Sequence, residues 1–228
     1  NRDDIGQEIE AIIDEADLSE ESEAKLEKEF ARAYHIITRD ERLDTIAEDI
    51  VDHYMGREPF SSNIRGKAMV VSIDKATAIR MYDKVKLAWQ SKIDELKSLA
   101  KDISEMSGSA KEQGNYKALI EDIAYMEATD MAVVVSGGQG DYEVMEKKGL
   151  DYQYHRERFM SEDIDNKFKD VNDPLRIVFV CAMWLTGYDA PCVSTLYLDK
   201  PLKKHTLMQT IARANRVYPG KSAGQVVD

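Results

Sequence analysis

Four short apolar runs constrain the fold of this chain more than any other feature of it. They are Lys67-Ala-Met-Val-Val-Ser-Ile73, Ala132-Val-Val-Val135, Arg176-Ile-Val-Phe-Val-Cys-Ala182 and Val193-Ser-Thr-Leu-Tyr-Leu198. None alternates apolar with polar residues, so each predicts a strand buried on both faces. The intervening pattern predicts a long helix from about Ala76 to Ile103, a helix around Phe159–Phe168 and another around Thr206–Ala214. Gly224–Asp228 predicts the opening of a fifth strand. Continuous apolar strands alternating with helices predict an α/β fold, a parallel sheet with helices on both faces. Such sheets bind ligands beyond the carboxyl ends of their strands, which makes the loop after Ala182 the first place to look for chemistry.

The front of the chain is different in kind. Ile5, Ile9, Ile12, Ile13 and Ala16 recur at helical spacing, as do Leu26, Phe30, Ala33 and Ile37, and then Ile46, Ile50 and Tyr54. Gly56, Pro59, Ser61, Ser62 and Gly66 mark a loop, which predicts a helical segment over residues 1–60 and a second unit over 61–228. Residues 1–66 carry 8 Lys/Arg against 19 Asp/Glu, whereas residues 172–228 carry 7 against 4. Most of the net charge of −12 therefore sits at the front. A mildly basic tail can still grip phosphate at a few points, although such a chain alone should hold nucleic acid weakly.

Composition excludes other classes. No apolar run approaches the ~20 residues of a membrane-spanning helix, and no signal-peptide pattern opens the chain. Cys181 and Cys192 form neither a zinc cluster nor a disulfide framework, and the scattered His35, His53, His155 and His205 predict no metal site. A cytoplasmic setting is the expectation. An opening Asn1 and a strand just begun at residue 228 predict a piece of a longer polypeptide.

Two motifs fail on their context. Asp14-Glu15-Ala16-Asp17 spells an acidic box that elsewhere ends a strand and holds Mg²⁺, but here the isoleucine spacing makes it the polar face of an amphipathic helix. Gly220-Lys221-Ser222 resembles the end of a phosphate loop, yet the first glycine that loop requires is replaced by Asn215, and a helix precedes it where a strand is needed. Gly137-Gly138-Gln139-Gly140 lacks the Lys and the Ser/Thr. The sequence contains no convincing seat of its own for β- and γ-phosphates.

Two segments near the end carry chemistry together. Met183-Trp-Leu-Thr-Gly-Tyr-Asp-Ala-Pro191 follows a buried strand and offers the Thr186 hydroxyl, close backbone approach at Gly187 and the Asp189 carboxylate. Met208-Gln-Thr-Ile-Ala-Arg-Ala-Asn-Arg216 predicts a helix on which Gln209, Arg213 and Arg216 share one face. Two permanently charged, fork-shaped guanidiniums and an amide aimed one way suit a polyphosphate. Taken singly, either arginine reads more often as a surface ion-pair residue, and Asp189 as a turn cap. Order and spacing together favour the polyphosphate reading.

These residues resemble motifs V and VI of superfamily 2 helicases. Trp184-Leu-Thr-Gly-Tyr-Asp-Ala-Pro191, Tyr197-Leu-Asp-Lys-Pro201 and Gln209-Thr-Ile-Ala-Arg-Ala-Asn-Arg216 are similar to the motor (R) subunit of type I restriction enzymes. The likeness is strongest over residues 150–228, including His155-Arg-Glu-Arg158. Lys67–Ser72 fits motif IV, the strand that opens a second RecA-like lobe, and residues 1–60 match in general character only. The resemblance implies catalytic roles for Arg216 as an arginine finger, Arg213 beside it and Gln209 as an orienting amide. It further implies nucleotide contact by Asp189, Gly187, Arg213 and Arg216. DNA-phosphate contact falls to Thr186 and Gly187 and, beside the plain reading of a solvated helix start, to His155 and Arg156. ATP and Mg²⁺ would serve the full-length subunit, with neither expected on this chain by itself. The implied partners are double-stranded DNA, a first motor lobe, a nuclease domain, and methyltransferase and specificity subunits of a bacterial or archaeal enzyme. The same motifs would suit the second lobe of another superfamily 2 helicase. A non-catalytic α/β interaction module is the reading from a different class.

Overall fold

The computed structural model describes residues 29, 31–59, 65–105, 114–185, 187–202 and 204–228. The helices expected between residues 5 and 28, the Asp14–Asp17 box and Thr186 lie outside the described residues. After a helical stretch at 31–37, the elements are α1 (Asp40–Gly56), β1 (Lys67–Ser72), α2 (Lys75–Glu105), α3 (Gly114–Glu127), β2 (Asp130–Val134), α4 (Asp141–Lys147), α5 (Tyr152–Ser161), α6 (Ile164–Lys169), β3 (Leu175–Val180), β4 (Val193–Asp199), α7 (Lys204–Ala214) and β5 (Gln225–Val227). The five strands form one sheet in the order β2-β3-β1-β4-β5, and every pairing is parallel.

Both faces of that sheet are covered, which is why its strands are apolar throughout. Ala68 and Val70 of β1, Met131 and Val133 of β2, Ile177 and Phe179 of β3 and Tyr197 of β4 share one core with α1 and α2. The alternate residues Met69, Val71, Ala132, Val134, Val178, Val180, Leu196 and Leu198 face a second core, closed by Ile164 and Phe168 of α6 and Ala214 of α7. The helix α1 contributes Leu43, Ala47, Ile50, Val51 and Tyr54 to the first core, so residues 40–56 pack as part of the sheet's own covering. Each such fully buried aliphatic side chain adds about 1.5–3 kcal/mol of transfer free energy.

The structure differs from the sequence expectation at two places. The helix expected around Phe159–Phe168 is two helices, because Asp163 acts as a new N-cap and its side chain accepts the Asn166 amide at 3.3 Å. Helices α3 and α4 were not expected at all. The Gly137–Gly140 stretch ends β2 as expected, with Gly140 left-handed at φ +80° just before α4. Among the described residues no helix is long and apolar enough to cross a membrane.

Topology sets the address of the candidate site. The segment 181–192 leaves the carboxyl end of β3 and crosses to the amino end of β4, where the Lys67 amide donates to Cys192 O at 2.9 Å. Helix α7 runs the same way, from the carboxyl end of β4 back toward the amino end of β5. Both therefore traverse the second face instead of standing at the carboxyl edge. The loop and the helix meet on the flank of the sheet, and the candidate residues of both segments lie there.

Candidate functional site

The flank is built from the end of α7 and the crossing loop. Arg213, in the last turn of α7, donates through Nη1 to the Tyr188 carbonyl and through Nε to Gln209 O at 3.3 Å. Gln209, one turn earlier, is half-buried. Helix α7 ends at Ala214, so Arg216 does not lie on the helix as its spacing predicts; it follows Asn215, whose amide closes the final turn onto Ile211 O at 3.2 Å. Arg216 still reaches the same loop, with Nε 3.4 Å from Asp189 Oδ1 and the two side chains 49% and 61% exposed. Gly187 is left-handed at φ +73°, and a Cβ there would meet nothing within 4 Å, which leaves its backbone open to approach.

The structure therefore brings Arg213 to the Tyr188 carbonyl and Arg216 to Asp189, with Gln209 one helical turn before Arg213 and Gly187 beside Tyr188 in the same loop. An amide, two guanidiniums and an open glycine backbone are donors suited to an anion with several oxygens. The Arg216–Asp189 pair is solvated, so it contributes only about 0–1 kcal/mol and little opposes transfer of the guanidinium to a stronger anion.

His155 and Arg156 stand apart from this flank. His155 is 3% exposed and packs edge-on to Tyr82, with ring centroids 4.7 Å apart. Burial, reinforced by Arg158 and Lys86 and opposed by Asp151, brings its pKa down to about 4. A buried neutral imidazole does not present itself to a phosphate, and the DNA-contact expectation for His155 is corrected on that ground. Arg156 donates through Nη1 to Val135 O at 2.7 Å, at the carboxyl end of β2 and against Gly137. Arg158 donates to Met131 O at 2.7 Å and pairs with Asp130 and Glu162. The expectation that Gly220-Lys221-Ser222 is no phosphate loop agrees with its geometry: Lys221 Nζ donates to Pro191 O at 3.2 Å and Val193 O at 2.6 Å, at the amino end of β4.

Sequence reasoning missed two features. The Tyr188 carbonyl is a partner of Arg213, and a backbone acceptor leaves no trace in residue type. At the carboxyl edge, Lys75 Nζ lies 2.9 Å from Asp141 Oδ2 in a buried pair, and the Tyr152 hydroxyl is 3.0 Å from the same oxygen. Burial alone would raise the Asp141 carboxyl, but those bonds hold it below its usual range. An aspartate directly after Gly140 was the available signal.

A parallel sheet clad on both faces, with a Gln-x-x-Ala-Arg-x-x-Arg segment turned onto the loop of the preceding crossover, defines a RecA-like α/β lobe. Residues 64–228 match the family model described as type I restriction enzyme subunit R domain 3, and the chain belongs to that family. It is 34% identical to the type I restriction enzyme HindI endonuclease subunit of Haemophilus influenzae, over 82% of this chain and 14% of that protein. It is 30% identical to a Methanocaldococcus jannaschii protein named as the type I restriction enzyme MjaIXP endonuclease subunit, over 98% of this chain and 17% of that protein. The chain thus spans less than a fifth of the length of these relatives.

Proposed function

We propose that this chain is the second motor lobe of an ATP-driven DNA translocase in the restriction subunit of a type I enzyme, supplying half of an ATPase site and half of a DNA track. The observation that carries the reading is the meeting of Arg213 and Arg216 with the loop holding Gly187 and Asp189. ATP with Mg²⁺ would bring a phosphate chain whose transition-state charge is spread over the oxygens of the transferring group, and the donors on this flank fit those oxygens. Arg213 is held by its own helix and by Tyr188, which fixes its guanidinium plane. Among the described residues the ion-pair partner of Arg216 is the solvated Asp189, which leaves the guanidinium able to exchange it for a phosphate when a first lobe carrying the nucleotide closes on this surface.

The division of labour follows from what the chain holds. Its phosphate-loop lookalike is committed to two backbone carbonyls, so in this reading the β-phosphate and the metal belong to the facing lobe. Hydrolysis then depends on closure, since the arginines arrive only with the second lobe. Gly187 and Thr186 take a DNA phosphate, while target recognition and methylation fall to partner subunits. The chain by itself has no ATPase, translocase or nuclease activity.

The test is Arg216→Ala in the full-length subunit. An arginine finger is worth about 10³–10⁵ in the turnover of an NTPase, and a fall of that order in DNA-stimulated ATPase with an unchanged circular dichroism spectrum is expected. Wild-type ATPase from a folded Arg216→Ala protein would remove the role assigned here.

A further inference from the structure

The loop that meets the arginines contains a residue in a conformation its side chain disfavours. Among the described residues, Trp184 is the one non-glycine with positive φ, at +68°. It sits third in the turn 182–185, closed by the Leu185 amide donating to Ala182 O at 3.4 Å. A left-handed third residue is where such a turn takes glycine, since a Cβ crowds the following carbonyl. Strain of this kind persists only where the surroundings hold it, and it gathers at working parts of proteins.

What holds Trp184 is a stack of rings. Its indole lies parallel to the Tyr188 ring, with centroids 4.1 Å apart and planes at 2°. The Phe168 ring of α6 lies 5.7 Å from the indole at 20°, and 6.5 Å from Tyr188 at 22°. The Lys169 ammonium stands 5.1 Å over the Tyr188 ring. Phe168 is fully buried in the second core, so the stack is rooted in α6 and the sheet. Its outer member, Tyr188, carries the carbonyl that accepts from Arg213, and the next residue, Asp189, is the partner of Arg216.

We propose that Trp184 and Tyr188 are positioning residues for the paired arginines: the left-handed turn folds the indole back onto Tyr188, and the stack fixes the carbonyl that orients Arg213. A glycine at 184 would ease the backbone and leave the loop's exit without its support. The inference rests on the motor-lobe reading, and it adds a requirement that the arginine motif alone does not contain. Because the stack acts through the arginine, its loss lowers kcat and leaves KM for ATP nearly unchanged, as for an interaction made in the transition state.

The experiment compares Trp184→Gly, Trp184→Phe, Arg213→Ala and the Trp184→Gly/Arg213→Ala double variant in the full-length subunit, with DNA-stimulated ATPase and thermal midpoint as readouts. Trp184→Gly is expected to stay folded, lower kcat at least about tenfold and hold KM within about threefold. Trp184→Phe keeps a ring and should retain most of kcat. In the Arg213→Ala background, Trp184→Gly should add less than about twofold, because coupled residues are non-additive. Should the glycine variant unfold, Trp184→Leu replaces it in the same cycle. An undiminished kcat in a folded Trp184→Gly protein, beside a depressed Arg213→Ala, overturns the positioning role and leaves the motor reading intact. A full additional loss in the double variant also overturns it, since the stack would then act elsewhere. An Arg213→Ala protein with wild-type ATPase overturns both.

Discussion

His155 shows how far one side chain can stand from its expected role. The family likeness puts it near DNA, whereas its helix turns it inward against Tyr82, with the Tyr154 ring 5.1 Å away. Burial has a consequence for acid stability. The folded-state pKa of about 4 lies below the ordinary 6.5, so between these values the unfolded chain binds a proton that the folded chain refuses. Stability therefore falls as pH drops from 6.5 toward 4, by about 3 kcal/mol in all. Urea denaturation at stepped pH should show that slope, and His155→Phe should flatten it. A variant with the same slope as wild type would assign the acid sensitivity to other groups. The arginines were easier to anticipate. Spacing alone grouped Gln209 and Arg213, because four residues apart on a helix means one face whatever surrounds it. Arg216 was placed on that helix by the same rule, and the rule expired at Ala214, where α7 ends.

At the scale of elements, the buried strands were legible because cladding on both faces demands apolar residues at every position, and β1, β3 and β4 begin and end within two residues of expectation. Helix α3 does carry a helical stripe in Tyr116, Leu119, Ile120, Ile123 and Met126, whereas α4, at 7 residues, is too short to show a period. Also illegible was the manner in which the sheet's β2 edge is closed. An edge strand presents unpaired carbonyls that invite another strand. Here α5 lies along β2 and covers two of them, Arg158 taking Met131 O and Arg156 taking Val135 O, each at 2.7 Å. Arg158 also holds Asp130 and Glu162. Arg158→Ala should reduce stability by roughly 2–3 kcal/mol, the scale of a charged hydrogen bond lost from a largely buried site. It should also promote self-association through the bared edge. Chemical denaturation and sedimentation velocity measure the two effects, and a monomer of unchanged stability would refute the edge-sealing role. The motif His155-Arg-Glu-Arg158 is thus explained by packing at three of its four positions.

For the molecule as a whole, ion pairs tie α1 to the sheet and to α2. Arg42 of α1 donates to Asp199 at the carboxyl end of β4 across 2.6 Å, and Lys84 and Arg80 of α2 pair with Asp40 and Asp44 of α1. The exposed pairs contribute little each, and the shared apolar core does most of the joining. On the motor-lobe reading, half a nucleotide site predicts weak ATP affinity. Calorimetry on the chain alone should give no binding tighter than about 1 mM, equivalent to about −4 kcal/mol. Micromolar binding would mean that a phosphate seat exists here after all.

The sheet order carries a last consequence, for how the polypeptide is made. Strand β1 is synthesised first yet occupies the centre, and its neighbours come much later: Ala68 pairs with Ile177 and Thr195. At about 5–20 residues per second, a ribosome needs roughly 5–25 s to supply them. During that interval the β1 backbone lacks both strand partners, although Ala68 and Val70 can already pack against α1 and α2. Pauses in translation placed between β1 and β3 would lengthen that exposure and should show up as lost yield.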